Sequence, residues 1–122
     1  MSRQVLISVI DDDELFRTVL VESLGSLGYG AQGYASAEQF IADDNHLSCD
    51  CVISDIHMPG MSGIDLKELL TARGSKIPVL LITAREEPRQ EARAAAAGAV
   101  CLLRKPFEST SLVQCLSKVL KV

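Results

Sequence analysis

Short apolar runs alternate with amphipathic helical patterns five times along the chain. In the helical stretches, apolar residues recur at spacings of three and four, which is the period of a helix with one buried face. The apolar runs are shorter and are typical of strands. They lie at residues 5–10, 29–34, 51–54, 79–83 and 99–103. The pattern therefore predicts five strands, each followed by a helix.

Several residues mark the ends of the predicted helices. Ser36 with Gln39 resembles a capping box at the start of the second helix. Gly28, Gly74 and Gly98 follow the first, third and fourth helical patterns, and glycine commonly ends helices. The fourth helix is mostly alanine on its inner side, and alanine buries little area. We therefore expect this helix to have the weakest packing of the five and the most freedom to move.

The third apolar run, which includes Cys51, Val52 and Ile53, is apolar without alternation. Such runs are expected in a parallel sheet that helices cover on both faces. Alternating strands and helices predict a doubly wound parallel sheet, and right-handed crossovers leave few strand orders. We expect a flavodoxin-like (βα)5 fold with strand order 2-1-3-4-5, in a single domain over residues 1–122.

Five polar residues stand at the carboxyl ends of predicted strands: Asp11, Asp12, Asp55, Thr83 and Lys105. In open α/β sheets, ligands bind at this edge where the strand order reverses, which here is between strands 1 and 3. Three close carboxylates repel one another unless a cation lies among them. Their oxygen donors favour Mg²⁺ or Mn²⁺, with a phosphate oxygen to complete the coordination shell.

The same residues suit phosphoryl transfer onto a carboxylate. Asp55 stands alone at its strand end and is the expected nucleophile, whereas Asp11 and Asp12 are better arranged to hold a metal. Lys105 and the metal would neutralise the phosphoryl oxygens, and Thr83 would donate a hydrogen bond to one of them. Three aspartates before a helix could instead serve only as helix caps, but the presence of Asp55 and Lys105 disfavours that interpretation.

The chain resembles the receiver domain of bacterial two-component response regulators over essentially its whole length. The matching segments, in order and spacing, are VIDDD at 9–13, DIHMPGMSG at 55–63, TA at 83–84, AGA at 97–99 and KPF at 105–107. The resemblance implies that Asp55 takes a phosphoryl group from the phosphohistidine of a sensor kinase or a phosphotransfer protein. It also implies that Mg²⁺ is held by Asp12, Asp55 and the backbone carbonyl of His57, with Asp11 in support.

The resemblance further implies how the signal leaves the site. Thr83 would be the switch hydroxyl, and Lys105 would pair with the phosphoryl group, with a cis bond between Lys105 and Pro106. The output would be the face formed by the fourth helix, the fifth strand and the fifth helix. The chain is expected to be a signalling phosphoprotein, not an enzyme, that regulates transcription or relays a signal. An effector domain would have to lie outside this chain.

Three departures from the family pattern affect these expectations. Leu102 stands where many relatives carry an aromatic switch residue. Val100 and Cys101 replace an acidic pair that one subfamily uses in a salt-bridged dimer, so that dimer is not expected, although some homodimer on phosphorylation stays open. His57 and Arg85 lie two residues past Asp55 and Thr83, beside the water route to the phosphoryl group. We expect them to set the lifetime of the phosphorylated state.

Composition limits the partners and the location. The net charge of −4 argues against direct binding of nucleic acid by this domain. The first apolar run is too short for a signal peptide or a membrane span, so we expect a cytoplasmic protein that does not contact membranes. The four cysteines show no metal-binding spacing and are expected to be reduced; they are Cys49, Cys51, Cys101 and Cys115.

Two other classes of function stay open. A pseudo-receiver would keep the fold as an interaction module without phosphorylation, but the full acidic set and Lys105 argue against it. A phosphatase of the haloacid-dehalogenase type would need a second aspartate two residues after Asp55 as general acid, and that residue here is His57.

Overall fold

A computed structural model describes residues 4–44 and 46–120. It contains five strands and five helices in strict alternation, with one short 3₁₀ turn. The strands are β1 (Leu6–Ile10), β2 (Gly30–Tyr34), β3 (Cys51–Asp55), β4 (Val79–Thr83) and β5 (Cys101–Arg104). The helices are α1 (Glu14–Ser26), α2 (Ala37–Ala42), α3 (Gly63–Ala72), α4 (Pro88–Ala96) and α5 (Ser109–Val119), and the 3₁₀ turn is His46–Ser48.

The five strands form one parallel sheet in the order β2-β1-β3-β4-β5. This confirms the predicted strand order and the predicted doubly wound α/β fold. The order reverses between β1 and β3, because the chain first adds β2 on one side of β1 and then crosses to the other side. The carboxyl ends of β1 and β3 are therefore neighbours, with β4 and β5 beside them.

The sheet separates two apolar layers. Along β4, Leu80 and Ile82 belong to the layer under α1 and α5, whereas Val79 and Leu81 belong to the layer under α2, α3 and α4. All five residues of β3 and all five of β4 are buried, as expected of central strands covered on both faces. This packing fixes the ends of β3 and β4, and hence the residues that follow them.

The fifth strand begins two residues later than the sequence pattern predicts. Gly98 adopts a φ of 90°, and the N–H of Ala99 donates to the carbonyl of Ala94. That bond completes the carboxyl-terminal turn of α4, so Ala99 belongs to the helix end rather than to the strand. The N–H of Val100 already donates to Val79 on β4, and Cys101 is the first residue of β5.

Helix α4 is held differently from the other helices. Ala94 is the one buried residue of α4 among the described residues, whereas α3 buries four. Arg93 of α4 lies 3.4 Å from Asp65 and 3.3 Å from Glu68, both on α3. On its other side, Arg104 of β5 lies 2.8 Å from Glu86 and 3.1 Å from Glu91. The weak burial of α4 agrees with its alanine-rich sequence; its mobility stays a prediction.

No helix within residues 4–44 and 46–120 is long and apolar enough to cross a membrane. All four cysteines are free; Cys51 and Cys115 are buried, and Cys49 and Cys101 are half-buried.

Candidate functional site

The carboxyl edge of the sheet carries the predicted polar residues. Asp11 follows β1, Asp55 ends β3, Thr83 ends β4 and Lys105 follows β5. Because the strands are parallel and adjacent in space, these residues come from distant parts of the chain to one pocket. Asp11 is 1% exposed, Thr83 3% and Asp55 7%, whereas Asp12 lies exposed at the rim.

The carboxylates of Asp11, Asp12 and Asp55 lie close together. Each offers an oxygen within 4.8 Å of the others. Lys105 lies against two of them: its Nζ donates to Asp11 Oδ2 at 2.8 Å and to Asp55 Oδ2 at 3.2 Å. The same ammonium stands 4.1 Å from the centre of the Phe16 ring, in a cation–π contact. Lys105 is therefore fixed from three sides and offsets part of the negative charge.

The ionisation of this pocket reflects burial and charge together. Burial raises the pKa of Asp55 above its ordinary value, and the charge of Asp11 adds to the rise, despite the opposing effect of Lys105. Burial acts to lower the pKa of Lys105, but its hydrogen bond to Asp11 and the charge of Asp55 outweigh this and raise that pKa overall. The pocket holds more negative charge than one ammonium balances, which favours a bound cation.

The three consecutive aspartates have three different places. Asp11 Oδ1 accepts a hydrogen bond from the N–H of Asp13 at 2.9 Å, which closes the loop and leaves Oδ2 for Lys105. Asp13 accepts from the N–H of Phe16 at 3.1 Å and so caps α1. The capping role considered from the sequence thus applies to Asp13, while Asp11 and Asp12 lie at the pocket.

Asp55 is held at both carboxylate oxygens. The N–H of His57 donates to Oδ1 at 3.1 Å, and Lys105 donates to Oδ2. The loop after β3 can turn tightly here because Gly63, at the start of α3, packs directly against the backbone of Asp55 and donates its N–H to Ile56 at 3.1 Å. The sequence analysis includes Gly63 as the last residue of the segment 55–63 but assigns it no role of its own; it directly follows the N-cap Ser62.

Thr83 points its hydroxyl into its own turn. Its Oγ1 accepts a hydrogen bond from the N–H of Arg85 at 3.0 Å.

His57 and Arg85 line the mouth of the pocket, where a cavity of about 390 Å³ is also bordered by Asp12, Met58 and Pro59. The cis peptide bond between Lys105 and Pro106 is present.

Leu102 lies on the side of β5 that faces α4. It packs against the layer that contains Ala94, Ala97 and Ala99, while Leu103 belongs to the opposite layer. Leu102 therefore presents an aliphatic side chain to a layer of small residues at the end of α4.

The fold and the site define a class: doubly wound α/β domains with a carboxylate pocket and a lysine at the carboxyl edge of the sheet. The chain belongs to the response regulator receiver domain family, whose model matches residues 7–117. It is thus a signalling domain of two-component systems.

Individual relatives support the same assignment. The chain is 32% identical over 120 residues to the response regulator protein TodT of Pseudomonas putida. This alignment covers 98% of this chain and 53% of TodT. It is 36% identical over 115 residues to the transcriptional regulatory protein FixJ of Bradyrhizobium diazoefficiens, with 94% of this chain and 56% of FixJ covered. The chain thus spans about half the length of these curated relatives.

A solved structure gives the same result for the fold. The chemotaxis protein CheY4 of Vibrio cholerae has a TM-score of 0.87 to this chain at 26% identity, covering 97% of this chain and all of CheY4.

Proposed function

We propose that Asp55 accepts a phosphoryl group from the phosphohistidine of a sensor histidine kinase or a phosphotransfer protein. The observation that carries the proposal is the shared contact of Lys105 with Asp11 and Asp55. It joins a carboxylate at a strand end, a fixed cation and a second carboxylate in one nearly buried pocket. A carboxylate oxygen of Asp55 would bond to phosphorus while the phosphorus–nitrogen bond of the donor breaks, and the histidine keeps that electron pair.

The residues of the pocket would share the work of this transfer. Lys105, already aimed between the two carboxylates, would turn its charge to the arriving phosphoryl oxygens. The N–H of His57 holds one Asp55 oxygen and so orients the carboxylate. Thr83 would leave its turn with Arg85 and donate its hydroxyl hydrogen to a phosphoryl oxygen.

The carboxylate set fits Mg²⁺, or Mn²⁺ in its place. We propose that Asp12, Asp55 and the backbone carbonyl of His57 hold the ion, with Asp11 in support. The fit rests on the proximity of the carboxylate oxygens and on their excess negative charge. When bound, the ion would neutralise charge on the phosphoryl oxygens and orient them.

The output would pass through the face formed by α4, β5 and α5, which follows the loop of Thr83. TodT is named a response regulator and FixJ a transcriptional regulatory protein, which supports an effector domain or partner protein as the receiver of the signal. The net charge of −4 disfavours DNA binding by this domain itself. A homodimer on phosphorylation and a cytoplasmic location belong to the same proposal.

The decisive experiment is intact-mass measurement after incubation with acetyl phosphate, with and without Mg²⁺. The native chain should gain about 80 Da, the mass of one phosphoryl group, only with Mg²⁺. Asp55→Asn should lose the gain, whereas Asp44→Asn, an exposed aspartate outside the site, should keep it. A gain that persists in Asp55→Asn would contradict the proposal. No gain in the native chain, together with no binding of beryllofluoride, would favour a pseudo-receiver.

His57 and Arg85 are proposed to set the lifetime of the aspartyl phosphate, because both stand at the cavity that opens beside Asp12. Replacing both with alanine should change the rate of hydrolysis, measured as the loss of the added mass with time. An unchanged rate would contradict this role.

A further inference from the structure

Glu87 occupies the N-cap position of α4 but does not cap the helix. Its side chain makes no capping hydrogen bond within the described part of the chain. Its Oε1 lies instead 3.2 Å from Nε2 of His57 and 3.6 Å from Nη1 of Arg85. A single carboxylate oxygen thus stands between the two basic side chains at the mouth of the Asp55 pocket.

The contact between Glu87 and His57 is close but poorly aligned. Oε1 of Glu87 and Nε2 of His57 are both buried atoms, and neither finds a hydrogen bond of good geometry among the described residues. Buried polar atoms in folded proteins are normally hydrogen-bonded, and an exception calls for an explanation. A carboxylate that lacks an aligned hydrogen bond, and whose permanent cation is Arg85 at 3.6 Å, is weakly held and can be displaced by a stronger anion.

The loop that carries Glu87 is held at a second point by Thr83. The N–H of Arg85 donates to Thr83 Oγ1, so the backbone of Arg85 follows that hydroxyl. If Thr83 moves towards a phosphoryl group, this hydrogen bond is lost, and the loop is then restrained by the contacts of Glu87 and by the ion pair of Glu86 with Arg104. Glu87 already contacts His57 and Arg85, the two basic side chains that border the cavity beside Asp12.

We propose that Glu87 is a positioning residue that competes with the phosphoryl group on Asp55 for His57 and Arg85. The inference rests on the proposed function of Asp55. Without a phosphoryl group, Glu87 holds the two basic side chains and ties the loop before α4 to the loop after β3. A phosphoryl group brings a charge of about −1.5 to −2. It draws Arg85 and His57 inward, and the released Glu87 becomes free to cap the first turn of α4.

The size of the expected effect follows from the exposure of the side chains that Glu87 contacts, His57 and Arg85. Ion pairs of partly exposed side chains contribute modestly, so neutralising Glu87 should strengthen binding of a phosphoryl mimic by about two- to fivefold. Loss of competition for the basic side chains and loss of repulsion from the Glu87 charge both act in this direction. The experiment measures the affinity for beryllofluoride in the presence of Mg²⁺ for the native chain and Glu87→Gln.

The neighbouring residue provides a matched control. The Glu86 side chain is 80% exposed and pairs with Arg104 at 2.8 Å, away from His57. Glu86→Gln should therefore bind beryllofluoride as the native chain does. Equal affinities of Glu87→Gln and Glu86→Gln would overturn the inference. If the native chain did not bind beryllofluoride at all, the proposed function would be overturned, and the inference with it.

A double-mutant cycle separates competition from a structural effect on α4. In an Arg85→Gln background, the gain from Glu87→Gln should shrink, because one of the contested partners is absent. A merely structural role would leave the gain unchanged in that background, and this result would also overturn the inference. Urea unfolding of each variant checks that the compared chains are folded to the same extent.

Discussion

Gly63→Ala tests whether the site depends on close approach of α3 to β3. A Cβ atom at position 63 would overlap the carbonyl oxygen of Asp55 and lie 3.0 Å from both Leu81 Cδ2 and Ser54 Oγ. A backbone carbonyl in a central strand cannot rotate away as a side-chain tip can, so α3 must move outward. Overpacking of this kind costs about 1–3 kcal/mol, and the better helix propensity of alanine offsets at most about 1 kcal/mol. Taking the middle of that range, about 2 kcal/mol, for the overpacking, we expect a net loss of about 1–2 kcal/mol in the free energy of unfolding.

The measurement is urea unfolding followed by far-UV circular dichroism, with Gly25→Ala as the control. Gly25 lies in α1, and no atom of the described chain outside its own helix and neighbours comes within 4 Å of a Cβ placed there. The same chemical change should therefore stabilise the protein at this position, by about 0.5–1 kcal/mol. Opposite signs for the two variants would support the steric explanation. If Gly63→Ala were as stable as Gly25→Ala, the argument for close packing at Asp55 would be refuted.

Three further measurements test other parts of the structure. Mg²⁺ should raise the free energy of unfolding by about 1.4 kcal/mol at ten times its Kd, and Asp12→Asn should lose most of that gain; equal gains would contradict the metal site. Burial, together with the hydrogen bond to Asp43 at 2.6 Å and its charge, raises the pKa of Tyr34 to about 12. Because this pKa exceeds the ordinary value of about 10, the Tyr34–Asp43 contact stabilises the folded protein fully below about pH 10. That stabilisation disappears as the pH rises through about 12. The native chain should thus exceed Tyr34→Phe in stability by about 1 kcal/mol at pH 8 and lose that advantage progressively between about pH 10 and pH 12; a constant difference in Tm would contradict the contact. Finally, amide hydrogens of α4 should exchange faster than those of α3 in the unphosphorylated protein, and uniformly strong protection of α4 would contradict its predicted mobility.

The sequence was sufficient to predict the strand order and the edge where the polar residues meet. Periodicity locates strands and helices, and the parallel arrangement then brings Asp11, Asp55, Thr83 and Lys105 together without knowledge of any loop path. These predictions depend on features that are local in sequence or follow from topology. They were confirmed for the fold, and the described structure brings these side chains to one pocket.

The side-chain contacts that the sequence did not predict depend mainly on the paths of loops. Glu87 has the sequence environment of a helix N-terminus, and only the position of the loop after β3 brings its carboxylate to His57. Phe16 supports Lys105 across a large sequence separation, with no periodic signal for that contact. The expected capping box of α2 is present in part, since Ser36 Oγ accepts from the N–H of Gln39 at 3.0 Å while the Gln39 side chain accepts from the N–H of Ala35. The contacts of Glu87 and Phe16 are set by the tertiary fold rather than by the residues around them.

The forces that position α4 differ from those that hold the sheet. The central strands are fixed by burial, whereas α4 buries Ala94 and is flanked by the ion pairs of Arg93 and Arg104. Pairs with this exposure contribute about 0–1 kcal/mol each and weaken with salt. Moving α4 along the sheet therefore costs far less than moving α3, and Leu102 offers it a smaller surface than an aromatic ring would. We therefore expect a change of charge at the loop before α4 to shift this helix without any rotation of an aromatic side chain.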